Sequence, residues 1–177
     1  MKKAFLIISI LSIIFLTGCG IFNLSSFVIP DNLDFMTVIG ELDTPQKISD
    51  YMLDKFTYQK HTYYAPSPFQ LWLTKNGDCN DFATFGIFVA DYHGYETYQI
   101  QIFYKGTSEG HLIAVYVEGE DKMSFTDNQY YFNYYGHWFN PFREIVEFDN
   151  QYVPEWSKYI VYDYWNNEVS RGYNYVH

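Results

Sequence analysis

The sequence predicts a mixed α+β domain, and three observations carry that expectation. Its first half places apolar residues at helical spacing behind recognisable cap signals. Its second half alternates with period two between turn residues. The chain also holds 19 Tyr, 16 Phe and 4 Trp, an aromatic load suited to half-buried sheet, where a ring packs and a hydroxyl meets water. The expected architecture is a group of N-terminal helices, one of them largely buried, packed on an antiparallel β-sheet.

The N-terminus reads as a leader rather than as part of that domain. Lys2 and Lys3 precede an apolar run from Ala4 to Leu16, which closes on Leu16-Thr17-Gly18-Cys19, the layout of a secretory signal peptide. That ending resembles a bacterial lipobox. The resemblance implies removal of residues 1–18, lipidation at Cys19 and a mature chain held to a cell membrane or outer membrane through its N-terminal lipid. An ordinary signal peptide or a single anchor helix are the alternatives, and all three place the domain outside the cytoplasm. Residues 19–34 are read as lipidated N-terminus and tether, and 35–177 as one domain with one core. The formal net charge is −10, and loss of Lys2 and Lys3 makes the remainder more acidic. This argues against nucleic acid as a partner and against electrostatic adhesion to anionic lipid.

Within the domain, Asp43-Thr44-Pro45 sets a cap and a first-turn proline, and Ile48, Met52, Leu53 and Phe56 recur at helical spacing, predicting a helix from Pro45 to Phe56. Ser67-Pro68 repeats the start signal for a short helix that stops at Lys75-Asn76-Gly77. Gly77-Asp78-Cys79-Asn80-Asp81 then opens a third helix through Phe82, Phe85, Phe88 and Val89 to Gly94, with Asp78 suited to the N-cap. Tyr98, Ile100, Ile102 and Tyr104 face one way on a strand, His111 opens the next, and Met123 to Thr126 forms a third that ends on Asp127. A helix from Pro141 to Phe148 capped by Asn140 and a strand from Tyr159 to Tyr164 follow. We find no internal repeat.

The two cysteines separate in role. With Cys19 consumed by processing, Cys79 has no partner, although exported proteins ordinarily pair their thiols. A lone exported thiol is either buried and inert or reactive. Cys79 falls in the first turn of its helix, where unpaired N–H groups and the helix dipole lower a thiol pKa from about 8.5. Asp78 and Asp81 oppose that effect, so a histidine is needed to take the proton. His111 and Asp127 are expected at one end of the same hairpin, where they can touch. The three residues together form a candidate nucleophile, proton carrier and orienting carboxylate. His61, His93, His137 and His177 lack such a setting and are read as surface or cap residues.

The stretch SPFQLWLTKNGDCNDFATF, followed by GHLIAVYV and FTDNQ, resembles the transglutaminase-like superfamily of papain-type cysteine enzymes, in particular its small bacterial members. The match spans roughly Pro45 to Asn128. It implies a papain-like core and assigns Cys79, His111 and Asp127 as the catalytic residues of an acyl-transferring peptidase, amidase or crosslinker. The expected substrate is a protein or peptide at the cell surface or in the cell wall. The backbone N–H of Cys79 is the default oxyanion donor, with Trp72 or Gln70 as candidate side-chain donors. Acidic positions like Asp78 and Asp81 flank the cysteine in some relatives and bring calcium to mind. Two carboxylates fall far short of the roughly six to eight oxygens calcium takes, so capping is the favoured reading, with calcium as the alternative and no other cofactor or metal expected. A noncatalytic binding or assembly module on the same fold, or an inert Cys79 beside a Tyr-rich glycan platform, are the competing readings.

Overall fold

The computed structural model describes residues 30–61, 67–133, 138–152 and 155–174. The leader, Cys19, His137 and His177 lie outside them. Among the described residues no helix is long and apolar enough to cross a membrane.

Helix α1 (Leu33–Glu41) begins where the Asn32 side chain accepts from the Phe35 N–H at 2.9 Å. Phe35 and Ile39 are fully buried. Helix α2 (Pro45–Lys55) starts at the Thr44 cap, and a short strand β1 (Thr57–Tyr58) follows. Helix α3 (Pro68–Thr74) is capped by Ser67 and stopped by Lys75 at φ 61. Strand β2 (Asn76–Gly77) pairs in parallel with β1. Helix α4 (Cys79–Tyr92) then carries a full capping box: the Asp78 side chain accepts from the helix, and the Asp81 carboxylate accepts from the Asp78 N–H at 2.7 Å.

The sheet contains β3 (Glu96–Tyr104), β4 (Gly110–Gly119), β5 (Lys122–Asp127), β6 (Tyr130–Phe132), β7 (Trp156–Asp163) and β8 (Glu168–Tyr173). Its order is β6-β5-β4-β3-β7-β8 with every neighbouring pair antiparallel. Each face has its own core. One gathers Phe35, Ile48, Met52, Leu71, Phe82 and Phe85 from the helices against Leu112, Ala114 and Tyr116 of β4. The other gathers Ile100, Ile113, Phe125 and Val161 under Ile145 and Val146 of helix α5 (Phe142–Asp149). Alternation along each strand therefore puts His111 and Asp127 on the α5 side, with Ile113 and Phe125.

The α+β class and the docking of α4 on the antiparallel sheet are as the sequence leads one to expect. The C-terminal third departs from that reading. Asn140 does not cap α5: extended Pro141 takes the N-cap position with no side-chain bond, and the Asn140 N–H reaches Glu144 Oε2 at 3.4 Å instead. Tyr164 falls outside β7, which starts three residues earlier than Tyr159. Strands β6 and β8 were not foreseen, being short or polar edge strands whose ladder comes from their neighbours.

Candidate active site

Glycines let α4 reach its position. A Cβ on Gly86 would collide with the Tyr116 hydroxyl on β4, so its absence lets the helix sit close to the sheet. A Cβ on Gly77 would meet the Asp81 side chain at 2.7 Å and Leu71 at 2.8 Å, so glycine there lets the capping carboxylate fold back under the turn. Both hold the first turn of α4, with Cys79, at the end of the sheet where β4 begins.

There the structure brings the three sequence-predicted residues together. His111 Nε2 donates to Asp127 Oδ1 at 2.6 Å, which leaves Nδ1 as the nitrogen not committed to the carboxylate. Burial opposes charge on this ring. Hydrogen bonding to Asp127 and to Cys79, together with their charges, nevertheless raises its pKa to about 10. Cys79 is a free, half-buried thiol. Asp127 also accepts from Asn128 Nδ2 at 2.9 Å. Tyr58 and Tyr104 border the site: burial raises both phenols, and the charges of Cys79 and Asp127 add to it. Exposed Lys60 pairs with Glu109 at 2.9 Å nearby.

The two side chains considered as oxyanion donors stand on α3. Gln70 is exposed on α3. Trp72 packs its ring against Phe35 and Phe69 with the Lys75 ammonium 4.4 Å from its centroid, and its Nε1 is buried. Among the described residues neither is hydrogen-bonded to Cys79 or His111.

Two residues gain importance that the sequence did not signal. His61 is no surface residue: its side chain is 8% exposed, and Nε2 lies 2.5 Å from Asp81 Oδ2 and 3.8 Å from Asp78 Oδ2. It sets a donor against the two carboxylates that oppose a thiolate at Cys79. Burial raises the Asp81 pKa, with its bonds to the Asp78 N–H and His61 pulling it back. His93 closes α4 as its C-cap residue and bonds the Ile39 carbonyl at 2.7 Å. The second unsignalled residue is Asp149, at the last position of α5. One oxygen of its carboxylate and one polar side-chain atom each of His111 and Asp127 all lie within 4.8 Å of one another. The one available signal was its placement, since a helix C-terminus disfavours a carboxylate.

His61, Asp78 and Asp81 likewise bring three potential ligand atoms within 4.8 Å. By themselves they supply too few oxygens for calcium, although Asp81 Oδ1 is buried with no hydrogen-bond partner among the described residues. Asp81 Oδ2 is taken by His61 and the Asp78 N–H, Asp78 Oδ1 by the Asn80 N–H, and an imidazole nitrogen is foreign to a hard-oxygen cage. The hydrogen bonds show both aspartates capping α4.

No protein-family model matches the chain, and no curated protein matches it. Among solved structures it is similar to LapG of Legionella pneumophila. The calcium-bound form is 13% identical with a TM-score of 0.44, over 58% of this chain and 65% of that one. The EGTA-treated form is 14% identical with a TM-score of 0.48, over 71% and 69%. A further LapG structure is 16% identical with a TM-score of 0.46, over 66% and 82%. The chain thus spans less than two thirds of calcium-bound LapG, and likeness at this level leaves function to the chain's own residues.

Proposed function

We propose that this protein is a transglutaminase-like cysteine enzyme acting outside the cytoplasm on an amide bond of a protein or peptide, with hydrolysis as the first reading. The observation that carries it is the convergence, from α4, β4 and β5, of Cys79, His111 and Asp127, with a 2.6 Å His111–Asp127 bond and a ring whose proton both neighbours hold. Cysteine catalysis needs a thiolate, a proton carrier and a group that fixes the carrier's orientation.

In the proposed cycle the Cys79 thiolate attacks the carbonyl carbon and forms a C–S bond. The developing oxyanion meets the backbone N–H of Cys79 at the start of α4. Collapse breaks the C–N bond, and the leaving amine takes the proton of His111 Nδ1, while Asp127 holds Nε2. Water then attacks the thioester and gives a proton to His111. Breaking the C–S bond releases the acid and restores the thiolate–imidazolium pair. The leader ending at Cys19 supports anchorage to a membrane by lipid, and Cys19→Ser should then release the protein to the soluble fraction.

The test is turnover of a quenched fluorescent peptide library by the full chain and by Cys79→Ser. Cleavage lost in the variant, with an unchanged melting temperature, supports the reading. Cleavage retained in the variant overturns it.

A further inference from the structure

Helix α5 ends beside the catalytic hairpin. Its core residues Ile145 and Val146 pack on the sheet face that carries His111 and Asp127, and this delivers the Asp149 carboxylate to within 4.8 Å of a polar side-chain atom of each. A carboxylate there is costly on two counts: it is half-buried, and it sits at the negative end of a helix dipole. The groups facing it are Asp127 on β5, His111 on β4 and Tyr104 on β3, with Cys79 beyond the ring. On its own side Asn150 Nδ2 donates to Asp149 Oδ2 at 3.3 Å. A carboxylate kept in so unfavourable a place, against the carboxylate–imidazole pair, acts on the charge of that pair.

We infer that Asp149 is a positioning residue of the catalytic centre, a second carboxylate that acts through Asp127 and His111 to set how firmly His111 holds the proton it hands to the leaving amine. The inference rests on the function proposed above. With Asp149 protonated, one negative carboxylate faces the imidazolium and the proton is released more readily. With Asp149 ionised, two face it and the proton is held more tightly. Burial, then the Asp127 charge, push Asp149 up to about 7, with His111 pulling the other way, so the switch falls near neutral pH. A charge at this separation in a half-buried site shifts proton affinity by about tenfold.

The experiment is an NMR titration of the ¹⁵N-labelled imidazoles in the full chain, with His111 assigned by its loss in His111→Gln. In the wild type the His111 ring should show a first step near pH 7 before it loses its own proton. Asp149→Asn should erase that step and bind the His111 proton about tenfold more weakly, and Asp149→Glu should restore the step. A wild-type ring with no step near neutrality, or an Asp149→Asn titration that superimposes on the wild type, overturns the inference. The wild-type trace alone decides the matter should Asp149→Asn fail to fold. An ordinary, unreactive Cys79 alongside a His111 step near pH 7 would instead remove the proposed function and leave the carboxylate coupling in place.

Discussion

At the residue scale the site is a set of opposed charges, each answered by a neighbour. Asp78 and Asp81 sharpen the start of α4 by capping it, yet their charge works against a thiolate at Cys79, one and two residues away. His61 reconciles the two by placing its imidazole against both carboxylates. His61→Ala should therefore cost about 1–3 kcal/mol, the penalty for stripping a buried carboxylate of a donor, and should slow alkylation of Cys79. Urea denaturation and alkylation kinetics check the two halves separately. Asp127→Asn leaves the shape of the pair and removes the charge that holds the ring, so turnover should fall by about 10²–10⁴ while Cys79 remains alkylatable. Steady-state kinetics on a cleaved peptide read this directly. Unchanged rates would reduce Asp127 to a turn residue.

At the scale of elements, the α4–β4 contact sets the distance between nucleophile and histidine. Tyr116 is fully buried there and hydrogen-bonded to Thr126 Oγ1 at 2.9 Å, with its hydroxyl filling the space a Cβ on Gly86 would need. Gly86→Ala should destabilise by about 1–3 kcal/mol through overpacking and shift Cys79 away from His111. Removing the hydroxyl in Gly86→Ala/Tyr116→Phe should recover much of that loss. Thermal melts of the single and double variants test this, and additive losses would contradict it. This core half was legible in the sequence because Thr44, Ser67 and Asp78 are local cap signals and α4 is a long apolar run. Cys79, His111 and Asp127 were legible for the same reason, each standing at an element boundary. The rest depends on contacts far apart in sequence. β8 is a polar edge strand that exists because β7 lies beside it, and His61 and Asp149 gain their roles only when a connecting segment and the end of α5 arrive at the site.

For the whole molecule, the buried charges dictate a pH profile. His111 is raised from 6.5 to about 10, so its contribution to stability is complete below about pH 6.5 and is lost as pH climbs toward 10. Asp149 is raised from 3.8 to about 7. The unfolded chain gives up that proton first, so stability also falls as pH rises between those values. Stability should decline from mildly acidic to alkaline pH, and Asp149→Asn should flatten the part of the decline below pH 7. Denaturation midpoints collected across this range show whether it does. The claim on which the whole account depends is that Cys79 and His111 form a thiolate–imidazolium pair. It is tested most directly by the iodoacetamide alkylation rate of Cys79 against pH, followed by peptide mapping in the full chain and in His111→Ala. The expected result is a rate that stays high down to about pH 5–6 and collapses in the variant. A rate that rises only around pH 8.5 in both proteins, as for an ordinary thiol, would contradict it.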